Sequence, residues 1–259
     1  MFFNTNFTFA GDNSIQVYGL QLVHMGGGMI EQTFSGKTKI EEETSSKWNK
    51  PIFYGVSRDP LTFSVTLAKE EPSEWTFEER MKIARWLVRD EYRDFRPGDF
   101  PIILKVIAVG QPKFYNNGMG EGYLEIQFRC DSSNVYTPEV VDTLNLVNNP
   151  FGGYTHVFNS SSNLRKPYYP ELEITLHPGE THFSIENLSN GSKIQLTELN
   201  EEETIYIDGN NKVILSSTGL NRVPNLINLE FLNLTYGNNN LLIKGDIIYN
   251  MRAQFPIIL

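Results

Sequence analysis

Two of the histidines in this sequence lie close together, on either side of a proline-glycine turn. They are His177 and His182 in the segment HPGETH, with Glu180 between them. Imidazole and carboxylate groups are common ligands of zinc and related metals, so this segment is the first candidate for a metal site. No third strand supplies a partner histidine. The pattern therefore favours exposed turn residues, and we expect neither a bound metal nor another cofactor.

A pair of carboxylates on one strand is the second candidate for chemistry. In the segment PELEITL, Glu171 and Glu173 share one face at a spacing that suits the acid and base of a glycosidase. Leu172, Ile174 and Leu176 take the other face, which is the one predicted to be buried. The carboxylates then lie on a solvated face, as charged residues usually do. The chain also lacks Gly-x-Ser-x-Gly and phosphate-loop motifs, so we expect no enzyme.

The third candidate is Cys130, the only cysteine of the chain. A lone cysteine excludes a disulfide framework and a thiolate zinc site. In the strand-like segment YLEIQFRC it alternates in step with Leu124, Ile126 and Phe128. We therefore expect a buried thiol with a packing role.

The elements that hold these residues are predicted to be strands and turns, and sustained helical periodicity occurs in one segment, Thr76 to Arg96. Thr76 and Glu79 have the spacing of a capping box, and Pro97-Gly98 should end the helix. The residues predicted to face a sheet are Phe77, Met81, Ala84, Val88 and Phe95, with Ile83 and Leu87 widening the stripe. One amphipathic helix among strands predicts a lid over a β-sandwich.

The segment from Gly36 to Val56 is rich in strand-forming residues but unusually polar. It has few large apolar residues before Trp48, and Glu41-Glu42-Glu43 lie among several lysines. A hairpin of this composition cannot bury both faces in its own core, so it is predicted to project as an arm. The alternative is a solvent-exposed segment of the chain that has no binding function. Before it, residues 2–24 predict a strand, a turn and a strand.

The second half of the chain predicts an all-β sandwich. Prolines and glycines near residues 135–150 predict a linker between domains 1–140 and 150–259. The predicted strands are Glu171–Leu176, His182–Glu186, Ser192–Leu196, Thr204–Asp208, Lys212–Ser216, Asn228–Thr235, Asn239–Lys244 and Asp246–Phe255. Turn signals separate them at the short, regular spacing of a sandwich. No helix is expected here.

Charge and composition exclude several functions. The chain has 259 residues, of which 22 are basic and 31 acidic, for a net charge of −9 spread over both halves. This excess of acidic residues does not indicate a basic surface, so nucleic-acid binding is not expected. The start, MFFNTNFTFAGDNS, lacks the basic and apolar segments of a signal peptide, and no run suits a membrane span. We expect a protein made in a reducing cytosol without membrane insertion.

The order of elements resembles a known family. The chain begins with an N-terminal hairpin that ends in FTFAGDNS, followed by a polar hairpin and the segment LTFSVTLA. A helix with KIARWLV, a strand ending in LEIQFRC and a separate sandwich come next. This order is similar to that of the siphophage distal tail protein (Dit-like) family, over nearly the whole chain. The most family-like parts are Leu61–Leu67 leading into Trp86, Tyr123–Cys130, and the segment NLTYGNNNLLIKG at residues 233–245.

The resemblance implies a structural protein of the virion. Domain 1–140 would be a β-sandwich with helix 76–96, joining five other copies in a hexameric ring at the tail tip. The ring would lie between the tail tube protein and the tail-associated hub protein. Domain 150–259 would be a galectin-like sandwich outside the ring, where docking of a receptor-binding protein is left open. The sugar-site residues of galectins are not matched, so the resemblance carries over the fold alone.

The arm is the part that best corresponds to a ring contact. Trp48 and Phe53 carry the aromatic area that interface anchors use, and Lys47 and Glu42 suit the polar rim. Two other classes of function stay open. One is a carbohydrate-binding adhesion module with a lectin-like C-terminal sandwich, and the other is a glycosidase that uses Glu171 or Glu173.

Overall fold

The computed structural model describes residues 5–24, 36–44, 50–98, 100–149 and 151–258. These residues form two compact units. The first runs to Tyr136 and includes Ile258, and the second is Thr137–Ile257. Nearly all of the regular structure is β-strand, which confirms the predicted mainly β class. Within the described residues, no helix is long and apolar enough to cross a membrane.

The first unit is built on one antiparallel sheet. Its helices are α1 (Ser14–Tyr18) and α2 (Phe77–Leu87), and its strands are β1 (Phe7–Phe9), β2 (Asp12–Asn13), β3 (Leu20–Val23), β4 (Thr38–Glu43), β5 (Ile52–Arg58), β6 (Thr62–Lys69), β7 (Arg93–Pro97), β8 (Leu104–Asn116), β9 (Gly122–Cys130) and β10 (Val135–Tyr136). The sheet has the order β2-β1-β7-β8-β9-β6-β3. At its far edge the Leu22 amide donates to Thr5 O at 2.7 Å, so the sheet curls back on itself. Strands β4 and β5 form a separate two-stranded sheet.

Aromatic side chains fill the core of this curled sheet. The rings of Phe7 and Phe95 stack at 4.8 Å, and those of Phe9 and Phe128 lie 5.6 Å apart. Aromatic contacts of this kind add stability beyond the area that they bury. Cys130 is buried beside them, as predicted, and burial raises the pKa of its thiol to about 12.

Helix α2 begins where the sequence predicts and ends earlier. The Thr76 hydroxyl accepts from the Glu79 amide and the Glu79 carboxylate accepts from the Thr76 amide, which confirms the capping box. The helix stops at Leu87, so the prediction of a helix to Arg96 is wrong. Residues Arg93–Pro97 instead form β7, hydrogen-bonded to β1 on one side and β8 on the other. Two ladders outweigh the local preference for another helical turn.

The face of α2 that packs on the sheet is also different from the prediction. Its buried residues are Ile83, Trp86 and Leu87. The predicted inward residues Phe77 and Met81 are 76% and 58% exposed, and Val88 is exposed too. The indole of Trp86 stacks on Tyr18 at 4.0 Å and donates to Phe9 O at 3.0 Å. The face with the large tryptophan is therefore the buried one, and a second apolar stripe faces solvent.

Helix α1 replaces part of the strand predicted over residues 2–24. The Asn13 carboxamide accepts from the amides of Ile15 and Gln16, which caps the first turn. Gly19 ends the helix with a left-handed φ of 62°, a conformation that favours glycine. These two local signals make a single helical turn between β2 and β3.

The second unit is a sandwich of two antiparallel sheets. Its strands are β11 (Val140–Leu146), β12 (Tyr154–Ser160), β13 (Glu171–Leu176), β14 (Phe183–Asn187), β15 (Lys193–Leu196), β16 (Thr204–Asp208), β17 (Val213–Ser216), β18 (Gly237–Lys244), β19 (Ile247–Ala253) and β20 (Pro256–Ile257), with a 3-10 turn at Val223–Asn225. One sheet has the order β11-β19-β13-β16-β17 and the other β12-β18-β14-β15. Inward residues of both sheets, including Leu172, Ile174 and Leu176 as predicted, form one core.

Three parts of the second unit differ from the sequence prediction. The stretch 135–150, predicted as a linker, contains β11, and β12 was not predicted. Residues 228–235, predicted as a strand, form no strand. There, Asn233 O accepts from the side chains of Asn187 and Ser192 at 2.9 and 3.0 Å. Side-chain donors thus make the hydrogen bond to a backbone carbonyl that a neighbouring strand would make in a β-ladder.

Candidate assembly interface

The hairpin of β4 and β5, called the arm, is held at its base by Asp59. The Asp59 amide donates to Lys37 O at 3.0 Å, and Lys39 Nζ lies 2.7 Å from Asp59 Oδ1. At Gly36 a Cβ atom would lie 1.6 Å from Asp59 O, so only glycine allows this close approach. The base of the arm is therefore set by backbone contact, and the arm continues from it as a two-stranded ribbon.

A β-bulge in the arm decides which side chains share a face. Ile40 lies opposite Val56, and after a register shift between Glu41 and Glu42, Glu42 lies opposite Phe53. Residues opposite each other in an antiparallel pair share a face, as do residues two apart on one strand. Ile40, Glu42, Phe53 and Val56 therefore lie on one face. Without the bulge, Tyr54 would take the place of Phe53.

This face is apolar and open to solvent. Ile40, Phe53 and Val56 are each at least half exposed, and together they are called the apolar face of the arm. Glu43, on the opposite face, accepts a hydrogen bond from the Tyr54 hydroxyl at 2.6 Å, which together with burial raises the pKa of Tyr54. Two-stranded ribbons are marginal alone, and exposed strand edges invite pairing with another chain.

The structure brings together two of the four residues predicted for the interface. Phe53 and Glu42 lie directly opposite each other on the apolar face of the arm. Trp48 and Lys47 fall outside the described residues. The sequence prediction missed Ile40 and Val56, whose apolar character was visible, because the bulge that aligns them with Phe53 has no clear sequence signal.

The residues of the HPGETH segment have separate partners. His177 Nε2 lies 2.8 Å from Asn145 Oδ1, and His182 Nδ1 lies 2.8 Å from Glu180 Oε1. Across the described residues, no group of three or more His, Cys, Asp or Glu side chains is placed to hold a metal ion. The segment forms the turn that the sequence favours, and the Glu180 carboxylate also accepts from the Asp246 amide at 2.9 Å.

The two carboxylates of β13 lie on the outer face of their sheet. Glu173 Oε2 is 3.6 Å from Arg252 Nη2, across the strand pair with β19. Glu171 raises the pKa of Tyr206 by a hydrogen bond, after the larger effect of burial. Both carboxylates face away from the core, so the geometry gives them surface partners rather than a cleft.

A pocket of about 460 Å³ lies between the end of β6 and the β8–β9 tip. Several of its polar groups already have partners within the chain. Lys69 Nζ binds Glu79 at 2.8 Å and Glu74 O at 2.6 Å, and the Trp75 indole donates to Gly122 O at 3.2 Å. Because these groups anchor the tip, the pocket is a weaker candidate than the arm.

Family profiles match nearly the whole chain in two parts. A profile described as a phage tail protein N-terminal domain matches residues 2–132. A profile described as a phage tail C-terminal domain matches residues 142–252. The gap between the two matches includes the boundary between the two compact units, Tyr136 to Thr137.

The chain is also similar to individual proteins and solved structures. The SPbeta prophage-derived uncharacterized protein YomH of Bacillus subtilis (strain 168) is 22% identical over 94% of this chain and 95% of its own length. The crystal structure of the SPP1 Dit protein, described as a paradigm of the hub adsorption apparatus in Gram-positive infecting phages, superposes with a TM-score of 0.66 at 12% identity. That match covers 96% of this chain and 98% of the other. A structure of the phage P2 baseplate in its activated conformation with Ca gives a TM-score of 0.48 at 10% identity, over 95% and 97%.

Proposed function

Because the chain belongs to the phage tail protein family defined by these two domains, and its fold is that of a Dit-like distal tail protein, we propose that it forms a hexameric ring at the tail tip of a long-tailed phage. A phage tail protein is a component of the virion. The finer role that we propose is structural rather than catalytic: the ring connects the tail tube protein to the tail-associated hub protein, and the chain is made in the host cytoplasm.

The arm is the observation that carries this proposal. Among the described residues, β4 and β5 pair with each other and with no further strand, and their apolar face is open to solvent. In a ring, each arm would contact the next copy through a repeated head-to-tail interface that closes on itself. Phe53 would be a buried anchor and Glu42 part of the rim, with the same roles expected for Trp48 and Lys47.

The two domains of the chain would then have different functions. Domain 1–140, which contains the curled sheet, α2 and the arm, would form the ring. The second unit, which contains the predicted domain 150–259 together with β11, would lie outside it as a galectin-like sandwich and support host-adsorption proteins. The support for this division is the pair of separate compact units and the separate profiles that match them.

Light scattering on the purified protein tests the ring. We expect a particle of six times the 29.6 kDa chain mass, either alone at high concentration or together with its tail partner. Shortening residues 40–50 to a Gly-Ser turn should leave a folded monomer, with folding checked by circular dichroism. Leu229→Ser, at an exposed apolar residue of the second unit, is the matched control and should leave the hexamer intact.

Two results would contradict the proposal in different ways. A hexamer that survives the shortened arm would remove the arm from the interface. If the full-length protein stays monomeric under every assembly condition, with and without tail partners, the proposal of a ring is wrong.

A further inference from the structure

Helix α2 has a second apolar stripe, on the side away from the sheet. Phe77, Met81 and Ala84 in the helix and Val88, its C-cap residue, are called the outer stripe. They follow one another at spacings of four, three and four residues. All four are exposed. Spacings of this kind place side chains on one face of a helix, and a helix normally turns such a face towards a partner.

Four exposed apolar residues share this one side of the helix. Soluble monomers seldom expose large contiguous apolar patches, and those that do commonly use them for binding. The inner face of α2 already packs on the curled sheet through Trp86 and its neighbours. The outer stripe therefore has no role in the core of this unit.

The arm has the chemistry to cover the outer stripe. Its apolar face presents Ile40, Phe53 and Val56, and Glu42 lies among them. At about 100° per residue, Arg80 and Arg85 fall on the two sides of the outer stripe. Arg80 is partly engaged, with its guanidinium 5.0 Å from the Phe114 ring centre, whereas Arg85 is exposed. An apolar ribbon face with one carboxylate thus matches an apolar helix face with an arginine at its edge.

The two surfaces also match in length. The outer stripe, from Phe77 to Val88, extends about 17 Å along the helix axis at 1.5 Å per residue. The paired part of the arm, from Thr38 to Glu43, extends about 17 Å at 3.3 Å per residue. A ribbon laid along the helix would cover the whole stripe.

We propose that the outer stripe of α2 is the surface that receives the arm of a second copy of this chain. This inference rests on the proposed ring and adds where on the neighbour the arm binds. Each subunit would give its arm to one neighbour and its helix to the other, which is the head-to-tail arrangement that closes into a ring.

Disulfide cross-linking tests the contact directly, because the one native cysteine should not interfere. Cys130 is buried and its thiol pKa is raised to about 12, so it should not react. In the double variant Phe53→Cys/Met81→Cys, oxidation should produce a ladder of up to six covalently joined chains on a non-reducing gel. Each single variant joins at most two chains. Phe53→Cys/Tyr115→Cys, with the second cysteine at an exposed residue of the β8–β9 tip, should give no ladder.

A second measurement uses assembly itself. Met81→Ser should weaken assembly by about tenfold or more, as loss of an interface anchor does, and leave the circular dichroism spectrum unchanged. Lys82→Gln, one residue off the outer stripe on the same helix, should assemble like the unmodified chain.

The outcomes separate the two proposals. If the protein forms hexamers that depend on the arm, yet the Phe53→Cys/Met81→Cys variant gives no ladder and Met81→Ser assembles normally, the ring stands and the receiving surface is wrong. A cross-link confined to single chains would show that each arm covers its own helix, and it would overturn the inference. A chain that never assembles would overturn both proposals.

Discussion

Arg222 and Glu203 form a buried two-point ion pair in the second unit. Arg222 Nε lies 2.8 Å from Glu203 Oε1 and Nη2 lies 2.6 Å from Oε2, with side chains 8% and 0% exposed. Glu203 also accepts from the Asn200 amide and the Ser216 hydroxyl, and Arg222 donates to Glu198 O. The pair therefore fastens the irregular segment after β17 to the start of β16.

Arg222→Met should lower the free energy of unfolding by about 3–5 kcal/mol, because it leaves the Glu203 carboxylate buried without its counter-charge. Urea denaturation of the full-length protein measures this loss. Arg252→Met is the control, since its ion pair with Glu173 is exposed and should be worth about 1 kcal/mol or less. Equal losses of unfolding free energy in the two variants would show that the buried ion pair stabilises the protein no more than the exposed one.

The same pair predicts a pH dependence. Burial raises the pKa of Glu203, but hydrogen bonds from Arg222, Ser216 and the Asn200 amide outweigh it and lower the pKa from 4.5 to about 2. A pKa lowered by folding stabilises the protein above pH 4.5 and loses that effect as the pH falls towards about 2. Unfolding free energies of the unmodified protein and Glu203→Gln should therefore converge between these pH values. A gap that stays constant over that range would contradict the assignment.

The two faces of α2 should respond differently to truncation. Trp86→Ala should cost about 3–5 kcal/mol, because it removes a buried ring and leaves Phe9 O without its donor. Phe77→Ala, on the outer stripe, should change the stability of the monomer by about 0.5 kcal/mol or less. Thermal unfolding of both variants at low protein concentration measures the contrast. A large loss in Phe77→Ala would mean that this residue is covered within one chain.

Two glycines, one beside the arm and one within it, offer a test of its base. Gly36→Ala places a Cβ 1.6 Å from Asp59 O, so the base must shift, at a cost of about 1–3 kcal/mol. Gly55 has nothing within 4 Å of a Cβ, and Gly55→Ala should be tolerated. If the arm forms the ring contact, Gly36→Ala should assemble more weakly in light scattering and Gly55→Ala should not. The reverse order would show that Asp59 does not position the arm.

The second unit should fold alone only if its edge strand is kept. A fragment of Thr137–Ile257 should be monomeric with a β-type circular dichroism spectrum. A fragment that begins at Asn148 lacks β11, which leaves β19 as an edge and removes Asp142, whose carboxylate lies 2.7 Å from His156 Nε2. We expect the shorter fragment to be less stable or to aggregate. Equal melting temperatures would show that β11 is dispensable.

The sequence by itself determined features that depend on near neighbours in the chain. The capping box needs only Thr76 and Glu79, three residues apart, so the start of α2 was predicted correctly. The alternation of Leu172, Ile174 and Leu176 sets the inward face of β13, because side chains of a strand point to alternate sides. The family resemblance also rests on the order of such elements, and the profile matches confirm it.

Only the tertiary structure decided features that depend on distant partners. Arg93–Pro97 continues the helical pattern of α2, yet becomes β7 because β1 and β8 lie on either side to pair with it. The choice between two apolar faces of α2 follows from Phe9 O and Tyr18, which Trp86 meets across a long sequence separation. At the candidate interface, the bulge that aligns Phe53 with Ile40 exists only once β4 and β5 pair. Sequence patterns report which residues are apolar, whereas pairing and contact decide which of them are covered.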